Sequence, residues 1–299
     1  MELGGGTPSV GRRAGLVYGR VPGPVPDDLL RTGGRTVTTA GTAPLGEALR
    51  EARRVAFPPG EFVGQESFVT ARQIRTLAHH GGIVAGTRVV DLCCGVAGPG
   101  LLLVGDYECQ YLGVDADADS IALAREGAAS AGLRADFEVA RVPPLPAGRF
   151  DVVVLLETML AFRAKDVLLQ AIASALHGGG RFVFTVEEGP PLNGLERERM
   201  PASETVWPVT LHDLGSALEE LGLRTVWTED WTRSHADTAR ALAASYATLL
   251  ATVPPGPDRD AVAGLVDSHR LWAEWLGAGR MRKFAVVAER LAASGVDGG

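Results

Sequence analysis

The feature that most constrains the fold is RVVDLCCGVAGPG, Arg88 to Gly100, an apolar strand that carries an acid, Asp91, near its end and runs into a glycine-rich turn. A second apolar segment, YLGVDAD (Tyr111 to Asp117), leads to another acid, Asp115. Strand, turn, helix and strand in this order open a parallel α/β unit, whose ligands bind outside the carboxyl ends of the strands. The turn lets bare backbone approach a ligand, and the second acid stands where it can take both hydroxyls of a ribose. The two segments therefore suit a nucleoside-bearing cofactor. Gly95, Gly98 and Gly100 do not follow the GxGxxG spacing of dinucleotide sites, and no P-loop sequence occurs.

From Gly86 onward the apolar pattern alternates between strands and helices. Strands are predicted at Arg88–Leu92, Tyr111–Val114, Ala135–Val139, Asp151–Leu156 and Arg181–Val186, with helices at Ser120–Ala131 and Lys165–Leu176. Such alternation predicts a doubly wound, mostly parallel sheet, with the Val152–Leu156 run as a central strand buried on both faces. Further on come an irregular crossing, a helix from Leu211 to Leu221, a strand near Leu223–Thr228, two helices and a last strand, Met281–Ala288. Upstream, Leu45, Ala48, Leu49, Ala52 and Val55 share one helical face, and Thr70 with Gln73 has capping-box spacing before a second helix.

The expected organisation is a flexible arm over residues 1–43, a helical cap over 44–85, a core over 86–233, a helical lid over 234–279 and a closing strand with its tail over 280–299. The fold class is thus α/β, with a seven-stranded sheet whose last strand is antiparallel. An N-terminal helical cap and a lid inserted between the last two strands complete it.

Composition narrows the function. A net charge of −7 with no basic block argues against nucleic acid as a partner. No apolar run approaches the roughly 20 residues that cross a bilayer, so no membrane partner is expected. The N-terminus lacks the apolar stretch of a secretory signal, and three cysteines, two of them adjacent, make no disulfide framework. A cytoplasmic protein is expected, and a homodimer stays open. Of 29 basic residues only Lys165 and Lys283 are lysine.

These motifs resemble the class I S-adenosylmethionine-dependent methyltransferases, over about Gln65 to Arg290. The turn most resembles that of small-molecule enzymes related to the cyclopropane-fatty-acid and phosphoethanolamine methyltransferases, which also insert helices between the last two strands. The resemblance implies S-adenosyl-L-methionine as cofactor. It places Asp91 near the methionine amino group, Cys93, Gly95, Ala97 and Gly98 around the methionine and ribose, and Asp115, followed by Ala116, on the ribose hydroxyls. Gln65 would bond the methionine carboxylate from a closing N-terminal segment, with Phe62 and Phe68 as walls.

Two departures from the family pattern stand out. Cys93 and Ala97 replace glycines, which makes positive φ angles costlier there. Arg141 falls where the family has an acid for the adenine amino group, and arginine accepts no hydrogen bond, so backbone around Val142 would take that role.

Methyl transfer needs alignment and sometimes a base. The catalytic candidates are Glu157, directly after the fourth strand, and His235, at the lid hinge with Ser234 as an expected N-cap. Glu187, Glu188 and His212 are competitors. No metal site is expected.

The function implied is methyl transfer to a carbon, oxygen or nitrogen of a small, fairly apolar metabolite, in specialised metabolism. The alternative is a methyltransferase fold recruited to cyclisation or rearrangement, with the cofactor as a structural or electrostatic element. A non-catalytic cofactor-binding subunit and a dinucleotide oxidoreductase are more distant readings.

Overall fold

A computed structural model describes residues 45–201 and 206–292. The expected arm over 1–43 lies outside the described residues.

Seven strands form one sheet in the order β3-β2-β1-β4-β5-β7-β6. They are β1 (Arg88–Leu92), β2 (Gln110–Asp115), β3 (Asp136–Val139), β4 (Phe150–Leu155), β5 (Leu176–Glu188), β6 (Leu223–Asp230) and β7 (Arg282–Arg290). The pairings among β1 to β5 are parallel, whereas β7 runs antiparallel to both β5 and β6. The direction of the chain reverses between β1 and β4. This is the switch point where doubly wound sheets bind ligands. Strand β4 sits mid-sheet, with Val152 to Leu155 buried, because helices cover both faces.

Helices α3 (Gly98–Tyr107) and α4 (Ala118–Ala131) cross between the early strands, and α5 (Lys165–Ala175) leads into β5. The cap comprises α1 (Leu45–Ala56) and α2 (Ala71–Gly81). Thr70 and Gln73 close a reciprocal capping box on α2, as their spacing predicts, and Gly82 ends that helix in the left-handed conformation. The α1 face departs from expectation. Val55 is exposed, while Ala52 and Arg53 are the buried positions. Leu49 and Ala52 of the predicted face do pack into the lid core, and Arg53 joins them because its guanidinium has specific partners inside, as described below.

Between β5 and β6 the predicted irregular crossing contains a short helix, α6 (Gly194–Arg199), held by an Asn193/Glu196 capping box, and is followed by α7 (Leu211–Glu220). Helices α8 (Thr232–Leu250) and α9 (Pro257–Gly277) lie between β6 and β7 and form the inserted lid. Leu265, His269, Trp272 and Leu276 of α9 are all buried, as their spacing predicts, in a core shared with Ala239, Leu242 and Tyr246 of α8. Ser234 is not the N-cap. The helix starts one turn earlier at Trp231, and the Ser234 hydroxyl accepts from the Gln73 side chain at 2.9 Å, tying lid to cap.

Candidate functional site

The turn after β1 is built against its own sequence. Cys93, Ala97 and Gly95 all adopt positive φ (58°, 58° and 54°), and only the last is glycine. Two such residues each cost on the order of 1–2 kcal/mol, a strain that persists where a site demands the shape. Asp115 at the tip of β2 fixes the turn. Its Oδ2 accepts from the Gly95 N–H and its Oδ1 from the Asp117 N–H, both at 2.9 Å. Each oxygen keeps a lone pair for a ligand hydroxyl.

A cleft opens above this turn. Gln65, Asp91, Cys93, Gly95, Gly98 and Glu157 line it, together with Glu66 and Ser67. Three of the lining groups are carboxylic acids and none is Lys or Arg. Gly95 presents open backbone, since an added Cβ would meet only Glu66 Oε2, at 3.9 Å. The donor set therefore fits a cationic ligand such as a sulfonium with an α-amino group, and it opposes a pyrophosphate. Asp91 is buried, its Oδ2 accepts from the Tyr111 hydroxyl at 2.7 Å, and burial raises its pKa to about 7. The Cys93 thiol is pushed up to about 12, first by burial and then by Asp115, so it is a filler rather than a nucleophile.

The structure places the other predicted cofactor residues differently. Ala97 is fully buried and packs into the core beneath the turn rather than facing the cavity. Ala116 is exposed just beyond β2 and Arg141 just beyond β3, and Val142 packs against the hydrophobic core. The Gln65 side chain is occupied. Its Oε1 accepts from the Val63 N–H at 2.6 Å, and its Nε2 donates to Glu61 O and Val69 O. It therefore shapes the closing segment. Phe62 pairs with Phe57 at 5.6 Å, while Phe68 lies against His235 and His269.

Arg53, which no sequence signal marked, bolts that segment down. Its Nε and Nη2 donate to Gln65 O and Ser67 O, and its Nη1 donates to the Tyr246 hydroxyl in α8 at 3.0 Å. One buried guanidinium thus joins cap, cavity wall and lid.

Glu157 is also at positive φ, 60°, with its side chain buried. Its N–H donates to Thr185 Oγ1, whose hydroxyl in turn donates to Glu157 Oε1 at 2.9 Å. The Lys283 ammonium lies 2.6 Å from Glu157 Oε1 and also donates to Glu187 Oε1. Glu187 and Lys283 face each other directly in the β5–β7 register. Burial opposes ionisation of Glu157, but Lys283 and then His235 outweigh it and hold that carboxyl well below the usual range. Burial raises the Glu187 carboxyl, with Glu157 adding to the rise.

His235 stacks on Trp231 and sits with Nε2 3.4 Å from Glu157 Oε1, close enough for ion pairing but not aligned as a hydrogen bond. The structure thus brings Glu157 and His235 together and adds Glu187 and Lys283. Glu188 is only half-buried, and His212 sits at the exposed start of α7. A buried lysine gives no sequence signal beyond its rarity in this chain.

Residues 83–218 match the family described as Methyltransferase domain. The chain is 28% identical over 153 residues to phosphoethanolamine N-methyltransferase 1 of Triticum aestivum, covering 50% of this chain and 30% of that protein. It thus spans about a third of the length of that relative. Among solved structures, a mycolic acid cyclopropane synthase complexed with S-adenosylhomocysteine superimposes with a TM-score of 0.67 at 11% identity, over 81% of this chain and 95% of that one. The cyclase SpnF superimposes with a TM-score of 0.63 at 20% identity, over 83% and 93%. The strand order, the acid-tipped turn and the family match agree: residues 83–218 resemble a methyltransferase domain, set in the fold that these solved structures share.

Proposed function

We propose that the protein transfers a methyl group to a small, fairly apolar metabolite in specialised metabolism. The observation that carries this reading is the acid-lined cavity over the β1 turn, walled on its far side by Glu157. When bound, S-adenosylmethionine supplies a methyl carbon already activated by its sulfonium. The residues of this chain supply the rest. Asp115 takes the ribose hydroxyls, Gly95 offers open backbone, and Asp91 with Glu66 complements the positive charge of the methionine end. Gly64 to Ser67, bolted by Arg53, exclude water from that end. Good alignment alone can contribute on the order of 7–11 kcal/mol. Glu157, pinned by Lys283 and Thr185, lies 3.4 Å from His235 Nε2, and this pair is placed to take a proton from the acceptor.

Incubation of the protein with methyl-labelled S-adenosylmethionine and a small-molecule metabolite extract is expected to label at least one acceptor and release S-adenosylhomocysteine. Tight donor binding with no labelled product would contradict transfer. Product formation without S-adenosylhomocysteine would instead favour cyclisation or rearrangement, the alternative that the fold shared with SpnF keeps open.

A further inference from the structure

Behind the cavity wall is a buried polar cluster whose bonding is incomplete. Among the described residues, five buried side-chain polar atoms make no hydrogen bond: Ser67 Oγ, Thr158 Oγ1, Glu187 Oε2 and both ring nitrogens of His235. Four residues supply all five. They belong to one neighbourhood, because Thr158 follows Glu157, Glu187 shares Lys283 with Glu157, and Phe68, next to Ser67, packs edge-on against His235. Buried polar atoms are nearly always satisfied, so such a concentration marks a place where a ligand completes the bonding.

The charge count says what kind of ligand. One ammonium, Lys283, is shared by two buried carboxylates, Glu157 and Glu187. The only other lysine, Lys165, is half-buried, and burial lowers its pKa to about 8 against a partial offset from Glu187; its ammonium is committed to Phe162 O and Trp207 O at 2.7 and 2.6 Å. Two buried carboxylates thus share one ammonium, so the cluster is short of positive charge. Its free oxygen, Glu187 Oε2, can accept a hydrogen bond, and so can one nitrogen of a neutral His235. Phe68 and Trp231, both buried, flank His235 with aromatic surface that favours a cation.

We propose that the Glu187–Lys283–Glu157 cluster, with His235, is an acceptor site that selects an amine in its ammonium form. This rests on the reading of the protein as a methyltransferase and narrows its acceptor atom to nitrogen. The ammonium donates to Glu187 Oε2 and passes one proton to His235, and Glu157 offsets the charge of the resulting imidazolium. The freed nitrogen lone pair forms an N–C bond to the sulfonium methyl as the C–S bond breaks. The electron pair of that bond stays on sulfur, leaving a thioether and an N-methylated ammonium. Solvent then takes the proton from His235. Lys283 is a positioning residue, since it acts only through the two glutamates. Phe68 before α2 and Trp231 at the start of α8 flank His235, so the cover of the site comes from cap and lid rather than from the sheet.

Phenethylamine, phenethyl alcohol and hydrocinnamate have nearly the same shape and differ in charge, and calorimetry on the protein saturated with S-adenosylhomocysteine measures each. The amine is expected to bind about tenfold or more tightly than the alcohol, as expected where a buried charge meets its counter-charge, and the carboxylate least. Glu187→Gln, which leaves a balanced Lys283–Glu157 pair, is expected to erase that preference while S-adenosylhomocysteine affinity stays unchanged. Equal affinity for amine and alcohol, tighter binding of the carboxylate, no binding of any of the three, or a preference that survives Glu187→Gln would each overturn the proposal. Failure to bind S-adenosylhomocysteine at all would instead count against the methyltransferase reading beneath it.

Discussion

Replacing Lys283 with methionine is expected to lower the unfolding free energy by about 3–5 kcal/mol, the range found when one partner of a buried ion pair is removed. The side chain is 1% exposed and binds both Glu157 and Glu187. Methionine keeps nearly the same length, so packing is largely preserved and the loss is electrostatic. Two carboxylates would remain in a dry interior, facing each other without a counter-ion. The double variant Lys283→Met with Glu187→Gln removes one of those charges, and it is expected to recover more than about 1 kcal/mol. Urea unfolding of the wild type and both variants measures this directly. A loss below about 1 kcal/mol for the single variant, as for a solvated surface pair, would mean that water reaches the cluster.

Gly98→Ala is expected to cost about 1–3 kcal/mol of stability or more, the usual range for overpacking. It should also weaken donor binding about tenfold, which corresponds to roughly 1.4 kcal/mol. A Cβ at this position would stand 2.5 Å from Val63 O, 2.7 Å from Gly64 C and 2.8 Å from Gln65 N. These are backbone atoms, and they cannot retreat cheaply. The Gln65 side chain is hydrogen-bonded three ways, and Arg53 holds Gln65 O and Ser67 O. Alanine must therefore lift the segment Gly64–Ser67 that lines the cavity. Gly264→Ala is the matched contrast, because nothing lies within 4 Å of its added Cβ in the exposed interior of α9. That substitution is expected to stabilise by about 0.4–1 kcal/mol, through helix propensity and a less flexible unfolded chain. Thermal unfolding with and without S-adenosylhomocysteine separates the two effects. Equal behaviour of the two variants would contradict the packing described for the cap.

The sheet was legible in the sequence because its signals are local. Alternating apolar runs and helical stripes located all seven strands, most of them within a few residues, and the reversal that makes β7 antiparallel follows from the family pattern. The acid-tipped turn was legible for the same reason, since Asp91, Gly95 and Asp115 sit at or just past the ends of β1 and β2. What escaped is non-local. Arg53 sits on a helical face that reads as apolar, and only its partners Gln65, Ser67 and Tyr246 explain its burial. Lys283 lies 96 positions from Glu187, and the antiparallel register that makes them opposite neighbours has no counterpart in residue spacing. Gln65 was found, but its side chain serves the loop, because a buried amide takes whatever backbone partners the chain brings to it.

The claim on which everything else depends is that a cationic nucleoside donor binds over the β1 turn with Asp115 on its ribose. Calorimetric titration of S-adenosylmethionine into the wild type and into Asp115→Ala tests it most directly. The account predicts clear binding to the wild type and a loss of about tenfold or more in the variant, from one charge-assisted hydrogen-bond acceptor removed together with the clamp on the Gly95 N–H. Equal affinity in both proteins, or none in either, would contradict it.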